Sequence, residues 1–341
     1  MFKLKNIVRE NIFNLKAYSS ARNEFSGTEG VFLDANENPF GELNRYPDPN
    51  QRELKEKLSE LKSVPVENIF IGNGSDEIID LTYRIFCNPG ADKALTFSPT
   101  YGMYQVSAEI NNIKLTSILL DSSFQIDFKT LDNILEDKSI KLIFICSPNN
   151  PTGNIINDID KLLNKFNGIV FVDEAYIDFS NTDSWISKIN KYPNLIVSQT
   201  FSKAWALASA RVGVAYAHVD IISIFNKVKA PYNVSALNQK AALEALNNHS
   251  EFEKTKDMIM TQREILKKKL SIMYIVKKMY DSDSNFILIE VEDADNVYNE
   301  LINRKVITRN RNSLVKNCIR ITVGSARENE QLLTALTEIS Q

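Results

Sequence analysis

The stretch Thr200-Phe-Ser-Lys203-Ala-Trp-Ala-Leu-Ala-Ser-Ala-Arg211-Val-Gly213 sets a lysine and an arginine eight residues apart among small side chains. An apolar run, Leu195-Ile-Val-Ser-Gln199, precedes it, and another, Val212-Gly-Val-Ala-Tyr216, follows. Lys203 is therefore expected to project from the end of a buried strand. A lysine in that position must be paired, deprotonated or used covalently. Taken alone, the segment reads as an exposed lysine in an Ala/Ser-rich turn, so the choice between these readings rests on the rest of the chain.

Working outward, the same pattern of apolar run followed by polar turn recurs. Gly168-Ile-Val-Phe-Val172 reads as a buried strand ending in Asp173-Glu174-Ala175-Tyr176, and a carboxylate at such an end is costly unless it meets a cation. Lys141-Leu-Ile-Phe-Ile-Cys146 opens into Ser147-Pro-Asn-Asn150-Pro-Thr-Gly153, a defined turn from which Asn150 can donate a hydrogen bond into a cleft. Ala94-Leu-Thr-Phe97 ends at Ser98-Pro-Thr-Tyr101-Gly102; Tyr101 either packs in the core or stacks on a flat heteroaromatic ring. Ile69-Phe-Ile71 leads into Gly72-Asn-Gly74-Ser75-Asp76-Glu77, with Ile78, Leu81 and Ile85 at helical spacing. This strand, glycine turn and helix start suits a phosphate. It reads equally as a helix capped by Ser75 with acids in its first turn. The third glycine of a dinucleotide fingerprint and the Gly-Lys-Ser/Thr of a P-loop are missing.

Between about 50 and 220, short apolar strands alternate with helical patterns at 50–62, 126–137 and 157–166, and a weaker strand pattern lies at 113–119. That alternation predicts an α/β domain with a largely parallel sheet, whose ligand sits just beyond the strand ends. Val31-Phe-Leu-Asp34 reads as a short strand entering a polar loop through Asn38 and Tyr46. After 250 the texture changes to a compact α+β unit: a charged helix (251–270), strands at 286–291, 306–308 and 318–323, and helices at 294–303 and near Leu332 and Leu336. Arg320, flanked by isoleucines, either points to solvent or clamps an anionic substrate, and Arg309 is a second candidate for that role. The expected division is an N-terminal arm with part of a small domain (1–45), a large domain (46–250) and a C-terminal small domain (251–341).

Composition narrows the partner. The chain has 341 residues, 43% of them hydrophobic, and a formal charge of −3, which provides no electrostatic footprint for nucleic acid. A small-molecule substrate is expected. Cys87, Cys146 and Cys318 lack metal-type spacing and suggest reduced thiols. The two histidines, His218 and His249, exclude a histidine-rich centre, so no metal is expected. No run approaches the roughly 18 apolar residues of a membrane span, and the N-terminus lacks an apolar signal core. The expected location is the cytoplasm.

One chemistry uses a strand-end lysine covalently: its amine forms a Schiff base with pyridoxal 5'-phosphate, while an arginine grips the phosphate and an acid meets the ring nitrogen. The ordered set of motifs around Gly74, Tyr101, Asn150, Asp173, Lys203 and Arg211 resembles the fold-type I pyridoxal phosphate-dependent aminotransferases. Within them the chain is similar to the histidinol-phosphate aminotransferase family over essentially its whole length. The motifs that carry this are Leu33-Asp-Ala-Asn-Glu-Asn-Pro39, Asn44-Arg-Tyr-Pro47, Ala17-Tyr-Ser-Ser-Ala-Arg22, Ala230-Pro-Tyr-Asn-Val-Ser235 and Cys318-Ile-Arg-Ile-Thr-Val-Gly324. Where the family commonly shows Ala-Gly-Leu-Arg, this chain has Ala208-Ser-Ala-Arg211, which removes no functional group.

The resemblance implies roles for particular residues. Lys203 would form the bond to the cofactor, Asp173 would pair with the ring nitrogen, and Asn150 and Tyr176 would bond the ring oxygen. Tyr101 would stack on the ring. Gly74, Ser75, Asp76, Thr200, Ser202 and Arg211 would cradle the phosphate, and Tyr46 would reach the cofactor of the other subunit of a homodimer with shared active sites. Arg320 would hold the α-carboxylate of glutamate or the phosphate of histidinol phosphate, and Tyr18 and Asn38 would surround the imidazole side. The implied reaction converts histidinol phosphate and 2-oxoglutarate to imidazole acetol phosphate and glutamate, in histidine biosynthesis. Aromatic-amino-acid transamination and threonine-phosphate decarboxylation are the alternatives on this scaffold. A pyridoxal phosphate-binding regulator would need a DNA-binding domain for which the chain has no room.

Overall fold

In the computed structural model, which describes residues 2–18 and 30–340, the alternating apolar runs form seven strands: β1 (Ile69–Asn73), β2 (Lys93–Ser98), β3 (Lys114–Leu119), β4 (Ile140–Cys146), β5 (Ile169–Asp173), β6 (Leu195–Thr200) and β7 (Val212–Ala217). They form one sheet in the order β1-β7-β6-β5-β4-β2-β3. From β3 to β6 every pairing is parallel, whereas β7 runs antiparallel to both β6 and β1. The connection 201–211 is too short for a helical crossover, so the chain must reverse direction there. This reversal holds Lys203 near the end of β6 and Arg211 at the entry to β7.

Both faces of the sheet are covered, which explains why the central strands read as continuous Val/Ile runs rather than alternating ones. Ile71, Ile143, Val170, Val172, Val197 and Val214 point to one side. There they meet Leu54 and Leu58 of α1 (Arg52–Lys62), Leu162 of α4 (Ile159–Lys165) and Leu246 of α6 (Ala236–Asn247). Phe70, Leu142, Phe144, Phe171 and Ile196 point to the other side. They pack on Ile78, Ile79 and Ile85 of α2 (Gly74–Phe86), Tyr104 of α3 (Met103–Ile110) and Phe225 of α5 (Val219–Val228).

A second, wholly antiparallel sheet has the order β10-β11-β9-β8, with β8 at Lys278–Met279, β9 at Phe286–Glu290, β10 at Arg309–Asn310 and β11 at Cys318–Thr322. Ile287, Ile289, Ile319 and Ile321 of this sheet pack on Leu266 of α7 (His249–Leu270), Leu301 of α8 (Ala294–Asn303) and Leu336 of α9 (Ala326–Ile339). A capping box between Ser325 and Glu328 starts α9. Among the described residues no helix is long and apolar enough to cross a membrane.

Several local expectations need correction. Val31–Asp34 is not a strand: it lies along no sheet edge, and Val31 and Leu33 are exposed. The pattern at 306–308 does not pair; the short strand falls at Arg309–Asn310 instead. The helix expected over 126–137 shrinks to Phe128–Leu131 and a 3-10 turn at Ile134–Glu136, because Asp132 and Asn133 compete for backbone hydrogen bonds in mid-helix. Ser75 does not cap α2. Asn73 occupies the cap position, and its N–H is taken by the Glu77 carboxylate. Ser19–Arg22 of the N-terminal motif lie outside the described residues.

Candidate active site

The C-terminal ends of β4, β5 and β6 and the start of α2 enclose a cleft lined by Ser75, Asp76, Tyr101, Asp173, Lys203 and Arg211, together with Tyr176, Thr200 and Ser202. Residues read separately from four stretches of sequence thus converge. Gly72 and Gly213 are partners across β1 and β7, and a Cβ on Gly213 would stand 2.4 Å from the Ser75 nitrogen. The missing side chain lets the start of α2 tuck against β7. Gly74 has φ +77°, and a Cβ there would lie 2.7 Å from Arg211 Nη2. The guanidinium therefore rests over bare backbone at the helix start, where N–H groups and helix dipole favour an anion.

Arg211 itself adopts a left-handed backbone conformation (φ 50°). Its Nη2 donates to Asp76 Oδ2 at 3.0 Å, and Asp76 Oδ1 accepts from the Tyr101 hydroxyl at 3.2 Å. Opposite this polar cradle, the Ser202 N–H donates to Thr200 Oγ1 at 3.1 Å, fixing the turn that carries Lys203. Lys203 is exposed toward the cleft mouth, and its amine lies 5.7 Å from the centre of the Tyr176 ring. Desolvation in the cleft lowers the pKa of this amine. The charges of Arg320 and Arg211 add to that effect, and those of Asp173 and Asp76 oppose it.

Asp173 forms the floor. It is 3% exposed, and burial lifts its carboxyl to about 6 against the hydrogen bonds that favour its charged form. Those bonds come from the Tyr104 hydroxyl to Oδ2 (2.8 Å) and from the Ala175 N–H to Oδ1 (3.1 Å). Its neighbour Glu174 turns away to Ser184, Gln199 and the Trp185 N–H, so only one of the two adjacent acids serves the cleft. Asn150 joins from the β4 turn: its amide donates to the Tyr176 hydroxyl (3.2 Å), and its Oδ1 accepts from Arg320 Nη1 at 2.6 Å. Arg320 lies 5.1 Å from the centre of the Phe286 ring. This settles the strand alternation, since Ile319 and Ile321 face the small core while Arg320 reaches across to the large sheet.

The remaining expected residues lie outside the lining of the cleft. Tyr46 stacks on Tyr232 at 4.3 Å in a separate groove that also involves Arg45 and Leu237. Tyr18 is 70% exposed, Asn38 sits in an exposed turn with its Oδ1 on the Phe40 N–H, and Arg309 is exposed at the edge of the small sheet. Sequence reasoning passed over Tyr104. Its signal was a spacing of three from Tyr101 at a helix start, which puts both rings on one side of the cleft; they meet edge-on at 5.6 Å.

The donor set fits pyridoxal phosphate. The helix start and Arg211 match its phosphate, the buried acid matches a protonated ring nitrogen, and the paired hydroxyl and amide of Tyr176 and Asn150 match a ring oxygen. The profile of the family "Aminotransferase class I and II" matches residues 18–336. The chain is 49% identical to the histidinol-phosphate aminotransferase of Cytophaga hutchinsonii, with 98% of this chain and 99% of the relative covered. It is 48% identical to that of Bacteroides thetaiotaomicron, with the same shares covered. The chain belongs to the histidinol-phosphate aminotransferases of the class I and II aminotransferase family. Solved structures agree on the family fold. The histidinol-phosphate aminotransferase of Clostridium acetobutylicum superposes with a TM-score of 0.80 at 23% identity, over 87% of this chain and 91% of that one. The Sinorhizobium meliloti protein, solved in complex with pyridoxal-5'-phosphate, gives 0.78 at 21% identity over 87% and 83%.

Proposed function

We infer that the enzyme moves the amino group of L-histidinol phosphate to 2-oxoglutarate, giving imidazole acetol phosphate and L-glutamate, a step of histidine biosynthesis. The observation that carries this reading is the convergence of Lys203, Asp173 and Arg211 on one strand-end cleft in a chain of this family. When bound, pyridoxal phosphate supplies an aldehyde that condenses with amines and a ring that accepts electron density from a carbon losing its proton.

The chain's own residues do the rest. Lys203, whose pKa is lowered by desolvation, would hold the aldehyde through its amine and, when free of it, would carry the substrate α-proton. Asp173 would keep a proton on the ring nitrogen, and Tyr104 and the Ala175 N–H hold its carboxylate in place. Tyr101 would stack on the ring, while Asn150 and Tyr176 would hold its oxygen. Gly74, Ser75, Asp76, Thr200, Ser202 and Arg211 hold the phosphate. Arg320, already bridged to Asn150, meets the substrate anion with Arg309. Tyr46 is assigned to the cofactor of a second copy of the chain, and Tyr18 and Asn38 to the imidazole side of the substrate, so the working unit is a homodimer with shared active sites. We assign the enzyme to the cytoplasm, and we divide it into an arm (1–45), a large domain (46–250) and a small domain (251–341).

Replacing Lys203 by alanine tests the centre of the assignment. Visible absorbance from lysine-bound cofactor should vanish and transamination should fall at least a hundredfold, the lower range for a proton-transfer group. A variant that still cycles between two amino donors at the normal rate would refute it. Spectral titration of the holoenzyme with histidinol phosphate, phenylalanine and threonine phosphate tests the substrate, since only a true donor converts the bound cofactor to its amine form.

A further inference from the structure

The face of the small sheet turned toward the cleft carries more positive charge than one carboxylate can use. Arg309 pairs directly with Arg320 across β10 and β11, and Arg311, two residues on, extends that pairing by donating its N–H to the Cys318 carbonyl at 2.9 Å. Strand alternation puts Arg309, Arg311 and Arg320 on one side. The residues between them confirm the direction. Asn310 and Asn312 both turn the other way and donate to the two oxygens of Asp295, at 2.6 and 2.8 Å. Asn312 also takes the Asn317 N–H at 2.8 Å, so the loop presenting Arg311 is clamped on both sides.

Among the described residues, no carboxylate lies within ion-pair distance of Arg309, Arg311 or Arg320. The Nε atoms of Arg311 and Arg320 are buried without a hydrogen-bond partner. Burial lowers the Arg311 pKa to about 10, with the charges of Arg320 and Arg309 acting in the same direction and Tyr176 of the cleft opposing them. A single carboxylate is satisfied by one guanidinium fork, whereas a phosphate dianion offers three oxygens and close to two charges.

We propose that Arg311 is a specificity-determining residue: with Arg320 it grips the phosphate of the phosphorylated amino substrate and contributes little to holding glutamate. This rests on the histidinol-phosphate reading above and assigns a part of that site. The loop clamp makes Arg311 a preformed donor, so its loss acts on binding rather than on the proton transfers at Lys203.

The test compares the two half-reactions in holoenzyme carrying Arg311→Gln or Arg311→Lys. For the glutamine variant the KM for histidinol phosphate should rise at least tenfold with kcat nearly unchanged, while the KM for glutamate moves less than threefold. The lysine variant should fall between it and the parent. Equal losses for both substrates, or no loss for histidinol phosphate, would overturn the proposal. Unchanged cofactor absorbance and melting temperature serve as the folding control. A separate readout uses inorganic phosphate as a competitor against glutamate, with the cofactor cradle already filled. Parent enzyme should be inhibited and the glutamine variant at least tenfold less so, and equal inhibition would count against Arg311. Should the parent refuse histidinol phosphate altogether, the substrate reading fails, and the phosphate competition still decides whether Arg311 binds that anion.

Discussion

Replacing Asp173 by asparagine should make the cofactor-free protein more stable while removing its grip on the cofactor. Burial raises the Asp173 carboxyl from its ordinary 3.8 to about 6. A carboxyl with a folded-state pKa above its unfolded one costs nothing at low pH, where it is protonated in both states. The cost grows as pH rises through the interval between the two values and is complete above about 7. A shift of about two units corresponds to about 3 kcal/mol at pH 8. Asparagine is neutral throughout and escapes that cost. Its carbonyl can still accept from Tyr104, but its amide cannot accept the Ala175 N–H that Oδ1 now takes, a loss of about 1 kcal/mol. The net gain is about 2 kcal/mol at pH 8, or about 3 °C at roughly 2.1 cal/mol/K per residue, and little at pH 5. Calorimetry of both apoproteins at the two pH values measures it. A gain as large at pH 5 as at pH 8, or a loss at pH 8, would refute the reasoning.

Two further outcomes follow from the same geometry. Tyr104→Phe removes a charge-assisted hydrogen bond worth about 1.5–3 kcal/mol, so the Asp173 pKa rises further. Cofactor affinity should then fall about tenfold near pH 6.5 and converge with the parent by pH 9, as fluorescence titration at each pH would show; a pH-independent loss contradicts it. Gly74→Ala places a methyl group 2.7 Å from Arg211 Nη2 at a φ of +77°, costing about 1–3 kcal/mol of backbone strain. The dissociation constant for the cofactor should rise about tenfold, with kcat at saturating cofactor little changed; a fall in kcat alone would show that the cradle does something other than hold phosphate.

How much was legible in the sequence depended on how local each signal was. The strands β4, β5 and β6 and the groups at their ends could be read because buried parallel strands are continuous apolar runs, and a polar residue at the end of such a run stands out. Gly74 and Arg211 could be placed in one cradle only through a resemblance, because their approach is a long-range contact between β7 and α2. Tyr104 was missed since a buried tyrosine in an amphipathic helix looks like ordinary core, and only the fold brings it to Asp173. Arg311 is not legible because the apolar pattern at 306–308 lies three residues ahead of the short strand at Arg309–Asn310, and a polar loop of asparagines hides the alternation that sets it on the same side as Arg309. The exposed segment at 31–34 failed for the opposite reason: its pattern suits a strand, and in the single chain no edge receives it.

Desolvation is the largest cause of the pKa shift at Asp173, Tyr101, Tyr176, Lys203, Arg311 and Arg320, and each shift favours the neutral form of its group. The fold thus carries acid and base in a partly desolvated cleft where, among the described residues, the half-exposed Arg211–Asp76 bridge is the ion pair found. That arrangement lowers stability in the free protein and suits binding, because a cofactor bearing a ring cation and a phosphate, followed by a phosphorylated substrate, would bring the missing counter-charges. On the proposed function, cofactor and substrate would bind a site whose electrostatic cost has already been incurred on folding, and their binding would relieve it. The same reasoning explains why the positive charge lies at two ends. On the proposed assignment, Arg211 with the start of α2 would take the phosphate that stays, and the arginines of the small sheet would take the anion that comes and goes, with Lys203 and Asp173 serving the proton transfer.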